Sequence, residues 1–209
     1  MQDAEFISDA QLAARAREGD FAAFEELTHR HERRVFGLAM RILGHIQDAE
    51  DVTQQTFLSA LENIDAFRGE SSFSTWILKI ASHAALKIIR KRKGLPTIPL
   101  EATNDETDDY AHIARPDYIA DWRESPEELV PRHELAALLE DALGTLDEKH
   151  RLVFLLRDVE GLSIRDTAEA LGITEANTKV RLLRARLQLR EILTRALGDP
   201  LTQLEPAAH

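Results

Sequence analysis

The sequence predicts an all-α protein with two small helical domains joined by a flexible acidic linker. Leu, Ala, Glu and Arg dominate the 209 residues and aromatic residues make up only 6%, a composition that favours helices over sheets. At both ends of the chain, apolar residues recur at three- and four-residue steps, the period of an amphipathic helix. Pro, Gly and acidic residues gather between them, which predicts domains over 1–94 and 133–198, a linker over 95–132 and a short tail over 199–209.

The net charge of −11 is unevenly distributed along the chain. Residues 101–128 hold ten acids and two arginines, whereas 87–93 carry five positive charges and 179–195 have a net charge of +5. The choice of partner depends more on this distribution than on the total. We expect the basic segments to meet a polyanion, with the linker acting either as a solvated tether or as an acidic strand that competes with nucleic acid for them.

The composition also limits the class of protein. The chain has no cysteine, which removes disulfides, thiolate metal sites and thiol catalysis and fits a reducing cytoplasm. The first residues lack a basic start followed by an apolar run, and no stretch approaches about 18 apolar residues. We therefore expect a cytoplasmic protein without direct membrane insertion, and no cofactor.

Two helices are predicted in the first half of the N-terminal domain. The first runs over 21–43, and the second over 47–64, where three acids suit the positive end of the helix dipole. The predicted core of the first helix is Phe21, Phe24, Leu27, Val35, Leu38, Ile42 and Leu43. In the second helix, one stripe is Val52, Thr56 and Ala60, with Phe57, Leu61 and Ile64 beside it.

A third helix is predicted over 75–93, after a turn at Gly69 and a cap at Ser72 or Ser74. Its predicted buried stripe is Phe73, Ile77, Ile80, Ala84 and Ile88. Another face carries a basic ridge formed by Lys79, His83, Lys87, Arg90 and Lys91. Like charges at this spacing repel each other by a few tenths of a kcal/mol per pair, so the ridge indicates a polyanionic partner.

Three aromatic residues, Phe67, Phe73 and Trp76, lie beside the basic ridge in sequence. Aromatic rings next to cations are typical of single-stranded nucleic-acid binding, in which bases stack on the rings. The alternative is that these rings belong to the core. We expect the core for Phe73 but not for Phe67, which falls in the turn.

The second domain has the pattern of a helix-turn-helix. A helix over 148–159 ends at Gly161, and Ser163 with Asp166 has the spacing of a capping box. Gly172 supplies the turn and Thr174 caps a long final helix. The predicted core side of that helix is Thr178, Leu182, Ala185, Leu189 and Ala196.

The opposite side of the final helix carries a second apolar stripe between two cations, Lys179 and Arg184. In a recognition helix, such side chains can meet thymine methyl groups while the cations contact phosphates or guanine edges. The alternative is a helix buried on both sides. The residues of the stripe are Ala176, Val180, Leu183 and Leu187.

Four segments together resemble the extracytoplasmic-function sigma factors of bacterial RNA polymerase. They are EGDFAAFEELTHRH, DAEDVTQQTFLSAL, FRGESSFSTWILKIASHAALKIIRKRK and LRDVEGLSIRDTAEALGITEANTKVRLLRARLQLRE. The resemblance spans roughly residues 8–93 and 133–195. It implies a region 2 helical bundle and a region 4 helix-turn-helix with no catalytic activity and no small-molecule substrate. It also implies binding to core RNA polymerase, recognition and melting of promoter DNA, and control by an anti-sigma factor.

The resemblance assigns site residues to three surfaces. The residues implied for polymerase binding are Asp48, Glu50, Asp51, Gln54 and Gln55. Those implied for the −10 element are Phe67, which would receive a flipped base, and Lys79, His83, Lys87, Arg90 and Lys91. Those implied for the −35 element are Lys179, Val180, Arg181, Leu183 and Arg184.

Three positions depart from the usual pattern of that family. His83 stands where members commonly carry Asn, which puts the −10 base preference in doubt and makes a pH-sensitive contact conceivable. RDTA (165–168) and EANTKV (175–180) replace the common forms in the second domain. The −35 preference of relatives therefore does not transfer to this sequence.

Two other functions compete with this interpretation. A stand-alone helix-turn-helix regulator would explain residues 146–195 but leaves the first domain without a purpose. A di-iron enzyme would use the Glu-x-x-His pattern of Glu26 and His29 with Glu25 and His31 nearby, but that site needs a second such motif and two further glutamates. No nucleophile elbow, phosphate-binding glycine loop or metalloprotease motif occurs.

Overall fold

The computed structural model describes residues 7–94 and 132–197, and every regular element in these ranges is helical, as the sequence predicts. The predicted linker, except for residue 132, and the whole predicted tail lie outside these ranges. In the first part the helices are α1 (Asp9–Arg17), α2 (Phe21–Leu43), α3 (Ile46–Glu62) and α4 (Phe73–Arg92), with a 3₁₀ turn at Ile64–Ala66. In the second part they are α5 (Arg132–Thr145), α6 (Glu148–Phe154), α7 (Ile164–Leu171) and α8 (Glu175–Leu197). A π-helical turn, Leu155–Val159, continues α6.

The described helices group into two compact units. The first contains α1–α4 and also residues 165–173, which hold most of α7. The second contains the remaining described residues from 132 to 164 and from 174 to 197. The predicted domain boundaries stay predictions, because α7 groups with the N-terminal helices in this structure.

In the first unit, α2 packs against α1, α3 and α4. Asp20 caps α2, and Gly44 ends it in the left-handed conformation (φ 70°), which lets α3 fold back immediately. The core prediction for α2 is correct except at Phe21, which is 75% exposed at the first helical position. In α3, Val52, Thr56 and Ala60 are fully buried, as predicted.

In the second unit, α5 and α6 both pack on α8. The predicted Thr174 cap is present, because the Asn177 amide donates to Thr174 Oγ1 at 3.1 Å. Gly172, at the end of the 165–173 segment of the first unit, has a φ of 66° and makes the predicted turn after α7. Thr178, Leu182, Ala185 and Leu189 are buried as predicted, whereas Ala196 is exposed and its core prediction is wrong.

Candidate nucleic-acid and polymerase interface

A groove of about 930 Å³ runs between α3 and α4 in the first unit. Its α3 wall contains Asp51, Gln54 and Gln55, all exposed. Leu58 follows them one turn later and is 49% exposed. Because these positions are separated by three- and four-residue steps, they form one continuous face of the helix.

Leu58 lines the groove, and the sequence interpretation did not include it among the candidate site residues. Its signal was present, because Leu58 falls outside the buried stripe of Val52, Thr56 and Ala60 and on the face of Gln54 and Gln55. Leu58 lines the same groove as the apolar side chains of Trp76, Ile80 and Ile88, and a contiguous apolar surface rimmed by polar residues is typical of a protein contact.

The other residues predicted for polymerase binding lie nearer the start of α3. Glu50 is exposed, but it does not line the groove. Asp48 is half-buried and accepts a hydrogen bond from the guanidinium of Arg92, which also contacts the Leu43 carbonyl. Asp48 therefore joins the end of α4 to the turn between α2 and α3.

The α4 wall of the groove consists of two adjacent rows at four-residue steps. The basic row is Lys79, His83, Lys87 and Lys91. The apolar row is Trp76, Ile80, Ala84 and Ile88. Arg90, which the sequence placed on the ridge, is half-buried outside the groove lining.

The apolar row corrects the predicted phase of α4. Ile80, Ala84 and Ile88 are half-buried at the groove rather than in the core, although Phe73 and Ile77 are buried as expected. The core face is completed by Leu78, Ala81, Ser82, Ala85, Leu86 and Ile89. Both rows satisfy the same four-residue period, and packing against α2 and α3 decides which one is buried.

The aromatic residues before and within α4 form one cluster. Phe67 lies edge-on to Phe73 at a centroid distance of 5.6 Å and 5.3 Å from Trp76. Phe67 is only 7% exposed, so the expectation that it stays out of the core is wrong. The 3₁₀ turn at Ile64–Ala66 is followed directly by this ring, which packs inward. Trp76 is half-buried and reaches the groove.

Lys79 is the most shielded cation of the basic row. Its ammonium lies 2.7 Å from Asp166 and 2.8 Å from Glu169, both in α7 of the same compact unit, and its side chain is 16% exposed. Burial alone would lower the pKa of Lys79, but hydrogen bonds to the two carboxylates outweigh it and raise that pKa. Lys79 therefore remains fully charged.

His83 is exposed at the mouth of the groove. Partial exclusion of water by the groove walls, and next the positive charge of Arg90, lower the pKa of His83, with Glu169 opposing them. The imidazole is thus mainly neutral at physiological pH. At this pH the permanent charge of the basic row comes from its lysines.

In the second unit, α8 exposes part of the predicted −35 surface. Lys179 is exposed, Leu183 is 39% exposed and Arg184 is half-buried. Val180 and Arg181 are only 5% and 4% exposed, so both predicted −35 contacts are buried, and the prediction of an outward apolar stripe is wrong for Val180. The buried arc of α8 is wider than one stripe because both α5 and α6 pack on it.

Two further cations of α8 pair with carboxylates of the same unit. Arg186 donates to both carboxylate oxygens of Asp158 at 2.8 and 2.7 Å. These hydrogen bonds raise the pKa of Arg186. Arg195 pairs with Glu191 one turn away.

The acids and histidines of the di-iron pattern are separated in the structure. Glu26 pairs with Arg30 at 2.7 Å, and His31 Nε2 lies 2.7 Å from Asp9 Oδ2. His29 is strongly exposed near Glu32. Within residues 7–94 and 132–197, no three acids or histidines gather as metal ligands would. Among the same residues, no helix has the length and apolar character to cross a membrane.

Comparison with known proteins places this geometry in a family. Residues 14–94 match Sigma-70 region 2, and residues 136–189 match Sigma-70, region 4. The RNA polymerase sigma-H factor of Pseudomonas aeruginosa is 32% identical over 91% of this chain and 96% of its own length. The ECF RNA polymerase sigma factor SigM of Mycobacterium tuberculosis is 33% identical over 89% of this chain and 85% of its own length. The chain is an extracytoplasmic-function (ECF) sigma factor.

Two solved structures resemble the fold of this ECF sigma factor. The structure of CnrH in complex with the cytosolic domain of CnrY is 25% identical, with a TM-score of 0.59 over 90% of this chain and 99% of that one. The sigma factor RpoE of Bartonella quintana, crystallised with the anti-sigma factor NepR, has a TM-score of 0.56 over 82% and 96% at 20% identity and shares the fold. As a member of the sigma factor family, the chain binds core RNA polymerase and promoter DNA and acts in transcription initiation.

Proposed function

We propose that this sigma factor binds core polymerase through the α3 face formed by Asp51, Gln54, Gln55 and Leu58. The observation that supports this is the exposed apolar Leu58 within a polar face of the groove. A half-exposed leucine surrounded by hydrogen-bonding side chains is a common arrangement at protein interfaces, where an apolar centre has a polar rim. Glu50 lies near this face and extends its negative charge.

The opposite wall of the groove is proposed to hold the melted −10 strand. Lys87 and Lys91 are exposed one turn apart, which suits successive backbone phosphates. Trp76 offers a half-buried ring beside them, and bases stack on such rings without sequence preference. Trp76 replaces Phe67 as the stacking candidate, because the ring of Phe67 is buried.

Duplex DNA of the −35 element is proposed to meet the exposed part of α8. Lys179 is the leading phosphate contact because it is exposed in the first turns of that helix. Leu183 and Arg184 lie one turn further on, where an apolar side chain can meet a thymine methyl group and a guanidinium a guanine edge.

The regulator and the compartment are also proposed. CnrH and RpoE were each solved in complex with another protein, for RpoE the anti-sigma factor NepR. By analogy, an anti-sigma factor holds this chain inactive, and the chain works in the cytoplasm beside its polymerase. It supplies recognition and leaves catalysis to the core enzyme.

Transcription in vitro with core polymerase tests the α3 assignment. We expect Leu58→Lys to weaken co-migration with core enzyme and promoter-specific transcription by about tenfold or more, the loss typical of a central interface residue. Phe21→Lys is the matched control, because Phe21 is an exposed apolar residue of α2 outside the groove. Equal effects of the two variants would remove α3 from the interface.

The same assay distinguishes a sigma factor from a stand-alone helix-turn-helix regulator. A stand-alone helix-turn-helix regulator would bind duplex promoter DNA without core enzyme and would give no polymerase-dependent start sites. Sequencing of the transcript starts identifies the promoter that this sigma factor selects.

A further inference from the structure

The groove between α3 and α4 is occupied at one end by a segment from the distant part of the sequence. Asp166 and Glu169 lie one turn apart in α7, and both carboxylates bind the Lys79 ammonium. Glu169 also lines the groove. The contact joins positions 90 residues apart in the chain, so local sequence does not enforce it.

This contact uses groups that DNA would need. A lysine ammonium has three donors, and two point at α7 carboxylates in this structure. The backbone of Glu169 interacts with His83, the next member of the basic row. Since Lys79 is 16% exposed, a phosphate can reach it only if the carboxylates move.

The two carboxylates of α7 are arranged so that they can take the place of a DNA phosphate. Asp166 and Glu169 are three residues apart and therefore point from the same face of the helix. Two carboxylates on one ammonium repeat the chemistry of a phosphate, with anionic oxygens at hydrogen-bond distance. The Lys79–Asp166 pair is shielded, with 16% and 22% side-chain exposure, so salt screens it less than an exposed pair.

We propose that α7 is an internal competitor for the −10 strand, and that in the free sigma factor it holds Lys79 through Asp166 and Glu169. This inference rests on the proposed DNA role of the basic row. Its consequence is that the groove has full affinity for single-stranded DNA only after α7 leaves. Binding to core polymerase is the event expected to release it.

Zero-length carbodiimide crosslinking tests the contact without any substitution. The reagent joins lysine directly to a touching carboxylate, and peptide mass spectrometry of the free sigma factor should find Lys79 linked to Asp166 or Glu169. The yield should fall when core polymerase is added. Failure to find either link in the free chain would overturn the proposal.

Binding of a fluorescent single-stranded oligonucleotide tests the competition. We compare Asp166→Asn/Glu169→Gln with Glu18→Gln/Glu25→Gln, which removes the same charge from exposed positions in the α1–α2 region. One additional single-strand phosphate contact steepens the slope of log K against log salt by about 0.7, which is about fivefold in affinity at 0.1 M salt. We expect that gain only for the α7 variant, and an equal gain in the control would refute the competition.

A third variant separates this proposal from the proposed DNA site. Lys87→Gln/Lys91→Gln should weaken oligonucleotide binding while leaving the Lys79 crosslink unchanged. If the crosslink forms but these lysines prove irrelevant to DNA binding, the DNA assignment of the row is wrong, and α7 does not compete there. If the lysines matter but no crosslink forms, only the α7 proposal fails.

Discussion

The two basic helices, α4 and α8, have similar charge in the sequence but use it differently in the fold. On α4, Lys87 and Lys91 are exposed along one groove wall, beside a parallel apolar row. On α8, Arg186 and Arg195 pair with Asp158 and Glu191, and Arg181 is buried. A count of cations therefore overstates the DNA-binding surface of α8, because part of its charge stabilises its own unit.

The largest expected effect is on the affinity for single-stranded DNA, and a pair of double variants tests it. Lys87→Gln/Lys91→Gln should lower the affinity for a single-stranded −10 oligonucleotide about 25-fold at 0.1 M salt, because each lost phosphate contact costs about fivefold. Arg186→Gln/Arg195→Gln removes the same charge from α8 and should change that affinity much less. Fluorescence anisotropy over a salt series measures both, and equal losses would mean that net charge alone controls binding.

A smaller effect is expected on the stability of the second unit, where cations of α8 pair with carboxylates. Arg186→Ala should lower the free energy of unfolding by about 0.5–1 kcal/mol, the upper range for a partly exposed pair with good geometry. Arg190→Ala is the control, since Arg190 is exposed on the same helix. Urea unfolding followed by circular dichroism gives the two values, and a larger loss for Arg190→Ala would contradict the structural role of the Arg186–Asp158 pair.

The smallest expected effect is on the pH dependence of stability, to which one histidine in each unit contributes. His150 in α6 is 6% exposed, and its Nδ1 lies 3.2 Å from Gln188 Oε1. Burial lowers the pKa of His150. Partial desolvation also lowers the pKa of His83. Below the ordinary histidine pKa of about 6.5 the unfolded chain binds more protons than the folded one, so stability falls as pH decreases through that value.

Single substitutions separate the two histidines. The melting temperature should fall between pH 7.5 and pH 5.5. His150→Gln should reduce this fall more than His83→Asn does, because His150 is the more buried group. Both variants are compared with the unmodified chain in thermal melts at each pH. A steeper pH dependence in either variant would contradict the lowered pKa of that histidine.

Much of the fold follows from the periodicity of the sequence, and the failures have physical causes. In α3 the face opposite the stripe carries the polar residues Asp51, Gln54 and Gln55, so Val52, Thr56 and Ala60 were placed correctly. In α4 two rows share the same period, and the partner helices, which sequence spacing does not reveal, select the row of Ile77 over that of Ile80.

The candidate site was less predictable than the fold. Its charged positions on α3 and α4 were found because charge and spacing are local properties. The contact of Lys79 with α7 and that of Arg186 with Asp158 span 90 and 28 residues, and no local pattern indicates such pairs. Phe67 was misplaced because a residue in a turn can still direct its ring into the core.

Helix α4 is fixed at both ends, by the Ser72 cap at its start and by the contacts of Arg92 with Asp48 and Leu43 at its last turn. A helix held at both ends keeps a constant distance between the cations along it. Lys79 and Lys91 are twelve residues apart, or about 18 Å along the axis, which spans about five nucleotides at the B-form rise and fewer of an extended melted strand. The groove can therefore measure only a short stretch of promoter, and the distance to any second DNA element has to be set by the polymerase that carries both units.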